Sequence, residues 1–200
     1  MTTIVSIVEG HGEVAALPVL LRRIGQWLSP GVPINVLCPI RVRRDQFLNR
    51  DEIFSKQMQL AALKCGESGW ILILLDADDD CPAELAPRIL ERAVTIVPRC
   101  KVSVVLATRE YEAWFIASAA SLSGRRGFSM SQAPAANADT IRGAKEWLSR
   151  QIPGGRYSEV TDQPAFSATM DLQLASDHSR SFRKLCSEWM KNVLSLGASV

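Results

Sequence analysis

Acidic residues in this chain of 200 gather at three places that matter chemically. "LLDADDD" sets Asp76, Asp78, Asp79 and Asp80 directly behind an aliphatic run. "IVSIVEGHGE" sets Glu9 and then Glu13 behind a second run, and "VVLATREYE" sets Glu110 and Glu112 behind a third. Carboxylates held this close repel one another unless a cation neutralises them, and hard oxygen donors favour Mg2+ or Mn2+ over the metals of softer sites. Mg2+ keeps several waters and takes one or two carboxylates together with a substrate phosphate. Phosphodiester chemistry is the use such a donor set suggests, with two ions roughly 3.5–4 Å apart serving the attacking and leaving oxygens. Each group also has a plainer reading. Aspartates ahead of a helix cap it and suit its dipole, Glu110 and Glu112 fit a helix start in the same way, and a glutamate ending a strand is ordinary. Only the three groups together point to a site.

Other chemistries find less support. His11 follows Glu9 in a loop, where a histidine that merely hydrogen-bonds is the plainer reading, and His178 begins a helix far away. The five cysteines are scattered and contain no C-x-x-C pair, which argues against zinc and for reduced thiols in a cytoplasm. No G-x-x-x-x-G-K-[ST] occurs, "GHG" lacks the third glycine of a dinucleotide fingerprint, and Ser and Cys nucleophile motifs are absent.

The elements that must carry the acids follow from periodicity. "TIVSIV" reads as a buried strand, and a helix is expected over 13–28 with Pro18 near its first turn. "INVLCPIRV" is a second strand whose Pro39 implies an edge or a bulge. A helix opens at Asp51 and closes at Gly66. "GWILILLDAD" is apolar on both faces, as a parallel strand covered on both sides must be. A helix starting at Pro82, a strand "KVSVVLAT", a helix over "EYEAWFIASAASL" and further helices around 138–151 and 178–195 complete the expectation. "GRRGFSMSQAPAANA" (124–138) is the most loop-like stretch. Trp114, Phe115 and Trp147, at helical spacing, read as core or an oligomer face, with base stacking as the alternative.

This alternation predicts an α/β fold: a doubly wound, mostly parallel sheet of about four strands flanked by helices, with a helical C-terminal region. One domain over 1–200 is expected, its core in 1–122 and a helical extension in 123–200. In such sheets ligands sit outside the carboxyl ends of the strands, where all three acidic groups fall. Apolar residues make up 47% and charged residues 22%, which suits a packed core and excludes global disorder. A net charge of +2 gives no global attraction for a polyanion, so such a partner must be held by local patches or through a metal. No leader and no membrane span are read from the sequence, and the expected location is the cytoplasm.

A hydrophobic strand ending in Glu-Gly ("IVSIVEG") and a later strand ending in D-x-D ("LLDADDD") resemble the TOPRIM domain of topoisomerases, DnaG-type primases, RecR-like repair proteins and OLD-type nucleases. "VEGHGEVAALPVLLRRI", "LLDADDDCP", "REYEAWFIAS" and "SRSFRKL" together resemble more closely the bacterial domain of unknown function 4276. The resemblance implies a TOPRIM fold, Glu9 and Glu13 in catalysis, and Glu9, Asp76, Asp78, Asp80, Glu110 and Glu112 around Mg2+ or Mn2+. It also implies a nuclease acting on DNA or RNA, in a defence or repair system beside a separate AAA-type ATPase, with a homo-oligomer left open. A lysine expected in the C-terminal region is missing from "RYSEVTDQPAF", so the charge-stabilising residue is sought among Arg156, Arg180 and Arg183. The arginines of 41–44 (Arg41, Arg43 and Arg44), Arg125 and Arg126, with Arg180 and Arg183, are the phosphate-binding candidates, although basic pairs in loops are more often simply solvated.

Three alternatives remain at this stage. One is a non-catalytic metal- or nucleic-acid-binding subunit of an ATPase assembly. A receiver-like module is weaker, since a receiver's paired acids follow the first strand. A haloacid-dehalogenase-type phosphatase is weaker still, because its D-x-D ends the first strand.

Overall fold

The computed structural model describes residues 1–130 and 138–194. Its centre is a five-stranded, all-parallel sheet built from β1 (Thr2–Val8), β2 (Ile34–Val36), β3 (Ile40–Arg41), β4 (Trp70–Asp76) and β5 (Lys101–Ala107). The order is β2-β1-β4-β5, with β3 also pairing β1 farther along the same side. Four strands were expected and five are found, because Leu37, Cys38 and Pro39 interrupt the second. β2 pairs Thr2–Ile4 of β1 and β3 pairs Ile7 and Val8, so the proline falls between two short edge pieces.

Strict alternation sorts each strand between two cores. Ile4 and Val8, Trp70, Leu72 and Leu74, and Val105 and Ala107 face one side. Val5 and Ile7, Ile71, Ile73 and Leu75, and Val104 and Leu106 face the other. The second side is covered by α2 (Arg44–Asn49), α3 (Asp51–Cys65) and α4 (Pro82–Ile96), through Phe47, Phe54, Met58, Ile89 and Ala93. The first is covered by α1 (His11–Leu28), α5 (Ala113–Ala117), α6 (Ala144–Arg150), α7 (Asp162–Thr169), α8 (Leu172–His178) and α9 (Arg180–Val193). Helices on both faces of a parallel sheet make this a doubly wound α/β fold with a helical C-terminal region.

Several boundaries differ from expectation for identifiable reasons. α1 begins at His11 rather than residue 13, so Pro18 lies inside the helix and is buried there. The expected helix at 110–122 is α5 followed by a 3-10 turn over Ala119–Leu122, with Glu110 and Glu112 in the turn before it. α7 and α8 were not expected. Within the loop-like stretch 124–138, residues 131–137 lie outside the described residues, as do residues 195–200 of the C-terminal extension. Among the described residues no helix is long and apolar enough to cross a membrane.

Long side chains tie the C-terminal helices down. Arg23 of α1 donates to the carbonyls of Ser167 (2.9 Å) and Met170 (2.8 Å) at the end of α7, satisfying groups a helix terminus leaves unpaired. Trp189 of α9 meets Trp70 of β4 edge-on at 6.0 Å and donates its indole N–H to Ser29 Oγ at 3.0 Å. Trp114 and Phe115 are wholly buried, which settles them as core.

Candidate functional site

The chain leaves β1 for one side of the sheet and returns through α2 and α3 to the other, so the crossing direction reverses between β1 and β4. In open α/β sheets that reversal opens a crevice at the carboxyl ends of the strands. Glu9 follows β1 and Asp76 ends β4, so the two acids flank it.

Beyond Asp76 the β4–β5 pairing continues through non-regular backbone. Ala77 N–H donates to Ala107 O, and Asp78 N–H donates to Arg109 O, both at 2.9 Å. Asp78 (φ 50°) and Arg109 (φ 67°) are left-handed, a conformation that costs a non-glycine residue about 1–3 kcal/mol. Asp76 Oδ1 accepts from the Tyr111 N–H at 2.8 Å, binding the turn after β5 to the end of β4. That turn in turn directs Glu112 inward.

Five carboxyl groups, Glu9, Glu13, Asp76, Glu110 and Glu112, share this crevice, and several raise one another's pKa. Glu13 is 4% exposed, and its Oε2 accepts from the N–H groups of both Glu9 and Gly10 at 3.0 Å, fixing the β1–α1 turn. Glu112 is 1% exposed, and its Oε1 accepts from Tyr157 Oη (3.0 Å) and Gln163 Nε2 (3.3 Å). Burial, then the charges of Glu13 and Asp78, raise the pKa of Glu9 from 4.5 to about 6. Burial is also the leading cause for Glu112, raised from 4.5 to about 7. Asp76 is pushed well above the usual carboxylate range by burial and by Glu13, Glu112 and Glu9. Glu13 and Glu110 are raised chiefly by burial as well.

Lys145 faces Glu112 and Asp76 from the helical side, while Arg44 acts on Glu9 from the other. Lys145, at the start of α6, sets its ammonium 2.7 Å from Glu159. Burial works against its charge, yet Glu112, Glu159 and Asp76 more than offset that and hold it protonated. The sequence expectation sought a charge-stabilising residue among Arg156, Arg180 and Arg183, and Lys145 was not among its candidates. Lys145 is the only lysine between Lys101 and Lys184, a signal available in the sequence. Tyr157 and Gln163, which orient Glu112, carried no sequence signal.

Arginines hold the aspartate loop from outside. Arg44 of α2, with a side chain 13% exposed, donates to Asp76 O at 3.1 Å, pairs with Asp80 and lies 3.8 Å from Asp78. Arg109 pairs with Asp79, as does Arg142 at 3.0 Å. Of the arginines singled out from sequence, Arg44 lies here, against the aspartates, and the others lie elsewhere. Arg126 binds Asp162 at 2.9 Å, and Arg183 donates to the carbonyls of Ser176 and Asp177 at the end of α8. Arg180 lines a cleft beside β5, Arg156 lines another beside α6, and Arg125 is exposed.

Among the described residues no three His, Cys, Asp or Glu side chains converge closely enough to hold an ion as they stand. Glu9 Oε2 and Glu110 Oε2 are nonetheless buried with no hydrogen-bond partner among the described residues.

The family model for Domain of unknown function (DUF4276) matches residues 8–189 of this chain. The chain belongs to that family. The match starts at the last residue of β1, just before Glu9, and ends within α9, so the DUF4276 segment includes every residue of the crevice. Searches of curated proteins and of solved structures returned no match.

Proposed function

We propose that this DUF4276 protein is a divalent-metal-dependent phosphodiester hydrolase of TOPRIM type, acting on nucleic acid and working beside a separate ATPase in defence or repair. The observation that carries the reading is the pair Glu9 and Asp76 at the reversal of the sheet, both with raised pKa values. The donor chemistry fits a hard cation: oxygen only, mutually repelling, with two buried carboxylate oxygens left without partners. Asp76 and Asp78 would hold Mg2+ or Mn2+, with Glu9, Glu110 and Asp80 at hand. A cation bound there supplies charge neutralisation at the phosphate and an acidified water.

The chain's own groups divide the remaining work. Glu9, titrating near 6, exchanges a proton close to neutral pH, as a general base or acid must. Glu13 fixes the turn that carries Glu9, so its role in catalysis is one of position. Lys145 offers a permanent positive charge to a developing phosphorane, and Glu112, Tyr157 and Glu159 keep it in place.

The test combines calorimetry with Mg2+ or Mn2+ and cleavage of plasmid, linear and single-stranded substrates. Asp76→Asn is expected to abolish metal heat and cutting together. Glu9→Gln is expected to lower cutting about 10²–10⁴-fold. Metal-dependent cutting that survives both substitutions would come from a contaminant and overturn the assignment. Lys145→Met should slow cutting while leaving metal heat intact.

One observation favours a second reading, a non-catalytic subunit of an ATPase assembly. Asp78, Asp79 and Asp80 are each engaged by arginine, as a purely structural loop would be. No metal heat, with capture of an AAA-type ATPase by the full chain, would select that reading.

A further inference from the structure

Three clefts lie along the carboxyl edge of the sheet. The first, about 540 Å³, runs beside β5 between the N-terminal ends of α4 and α9, with Ala86, Val104 and Leu106 as apolar walls and Arg180 and Lys184 at its rim. The second, about 170 Å³, is bounded by Asp78, Asp79, Arg109, Glu110, Arg142 and Gly143. The third, about 420 Å³, lies between α6 and the loop before α7, with Tyr157 as its apolar wall and Lys145, Arg150 and Arg156 around it. Chain continuity makes them neighbours. Thr108 lines the first and Arg109 the second, while Gly143 lines the second and Lys145 the third.

We infer that this edge is a track for one unpaired nucleic-acid strand, which crosses the acidic crevice between two base-receiving clefts. The inference rests on the hydrolase reading and adds to it the form of the substrate. Its chemistry is that of single-strand binding, an apolar surface for a base beside cations for its phosphate. Both outer clefts have this composition and the middle one does not: it is small and polar, and its two arginines share Asp79. A strand laid across would put bases in the outer clefts and sugar-phosphate over the middle.

Two of the three acids lining the outer clefts are engaged within the chain, and the third, Glu146, sits beside Lys145, Arg150 and Arg156 in the third cleft. Asp139 accepts from Ser179 Oγ and from the Arg180 N–H at 3.0 Å, and Glu159 is paired with Lys145. Arg150, Arg156 and Arg180 are exposed, and their guanidinium groups form no ion pair among the described residues. A paired duplex keeps its bases stacked inside and can offer these clefts none. A mononucleotide would fill one cleft and leave the others empty.

The experiment is fluorescence anisotropy of labelled oligonucleotides in EDTA, so that binding is read without cutting. The full chain is compared with Arg150→Ala/Arg156→Ala, with Arg180→Ala, and with all three changes combined. Each cleft's variant is expected to weaken single-strand binding about tenfold, and the combined variant to compound the loss. The slope of log affinity against log salt should flatten by about 0.7 for each phosphate contact removed. Duplex of the same sequence should bind more weakly, and inorganic polyphosphate should compete poorly because it has no base for either cleft.

Equal or tighter duplex binding would overturn the track. So would polyphosphate competing as well as the oligonucleotide, or affinity unchanged in the combined variant. Metal calorimetry on the same variants separates the two proposals. Retained metal heat with lost strand binding supports the track, whereas strand binding without any metal heat in the wild type removes only the hydrolase reading.

Discussion

Glu112 shows what burial does to a single carboxyl group in this fold. Its folded pKa of about 7 lies above the ordinary 4.5, so between those values the folded chain holds a proton that the unfolded chain has lost. The stabilising contribution of this site is therefore complete below about pH 4.5, declines as pH rises and is gone above about 7. The difference corresponds to about 3 kcal/mol. Glu9 shifts in the same direction, so the whole crevice works against stability as pH rises towards neutrality. Glu112→Gln keeps an acceptor for Tyr157 and Gln163 but cannot ionise. Urea midpoints taken on either side of that window should fall with pH in the wild type and fall less in the variant. An unchanged slope would mean that Glu112 does not titrate there. Asp76 and Glu9 could be read from the sequence because each closes a run of strand residues. Lys145 and Tyr157 could not, since they reach the same crevice from helices and loops whose local pattern says nothing of where they dock.

At the scale of elements, the "EGHGE" motif acquires a packing reason. A Cβ on Gly12 would lie 2.4 Å from the Glu159 carbonyl and 2.1 Å from Gln163 Oε1. The start of α1 is thus pressed against the approach to α7, which carries Glu159 and Gln163 to Lys145 and Glu112. Gly12→Ala must push the two apart, because one of the blocking atoms is backbone. Its expected cost is about 1–3 kcal/mol, seen as a lower thermal midpoint. Gly12→Ala should also release Gln163 from Glu112 and so raise the Glu112 pKa further, a change that a remote destabilising substitution would not produce. Direct titration of Glu112 by NMR checks it. The strands were readable from sequence because a buried parallel strand leaves an uninterrupted apolar run, as in Ile71–Leu75. α7 and α8 were not, being only 8 and 7 residues long with mixed polarity. Helices so short are held by tertiary contacts rather than by propensity.

For the whole molecule, the sheet's first face belongs to both ends of the chain. One continuous core joins Ile4, Leu17 and Trp70 to Phe166, Phe182 and Trp189. Within it Tyr111 Oη bonds Ser167 Oγ at 2.9 Å, and Trp114 donates its indole N–H to Ser181 Oγ at 2.8 Å. Residues 1–122 contain all five strands, but alone they would uncover Trp70 of the sheet and Trp114 of α5, against which Trp189 and Phe182 pack. Large aromatics cost about 3–5 kcal/mol each when their packing is lost, and typical domain stabilities are only about 5–15 kcal/mol. A fragment ending at residue 122 is therefore expected to show no cooperative thermal transition, whereas the full chain unfolds in one step. Circular dichroism of the two proteins decides it. A sharp transition in the fragment would mean that the sheet is stable without α6 to α9, and that Lys145 and its partners are an addition to a finished fold rather than part of what closes it.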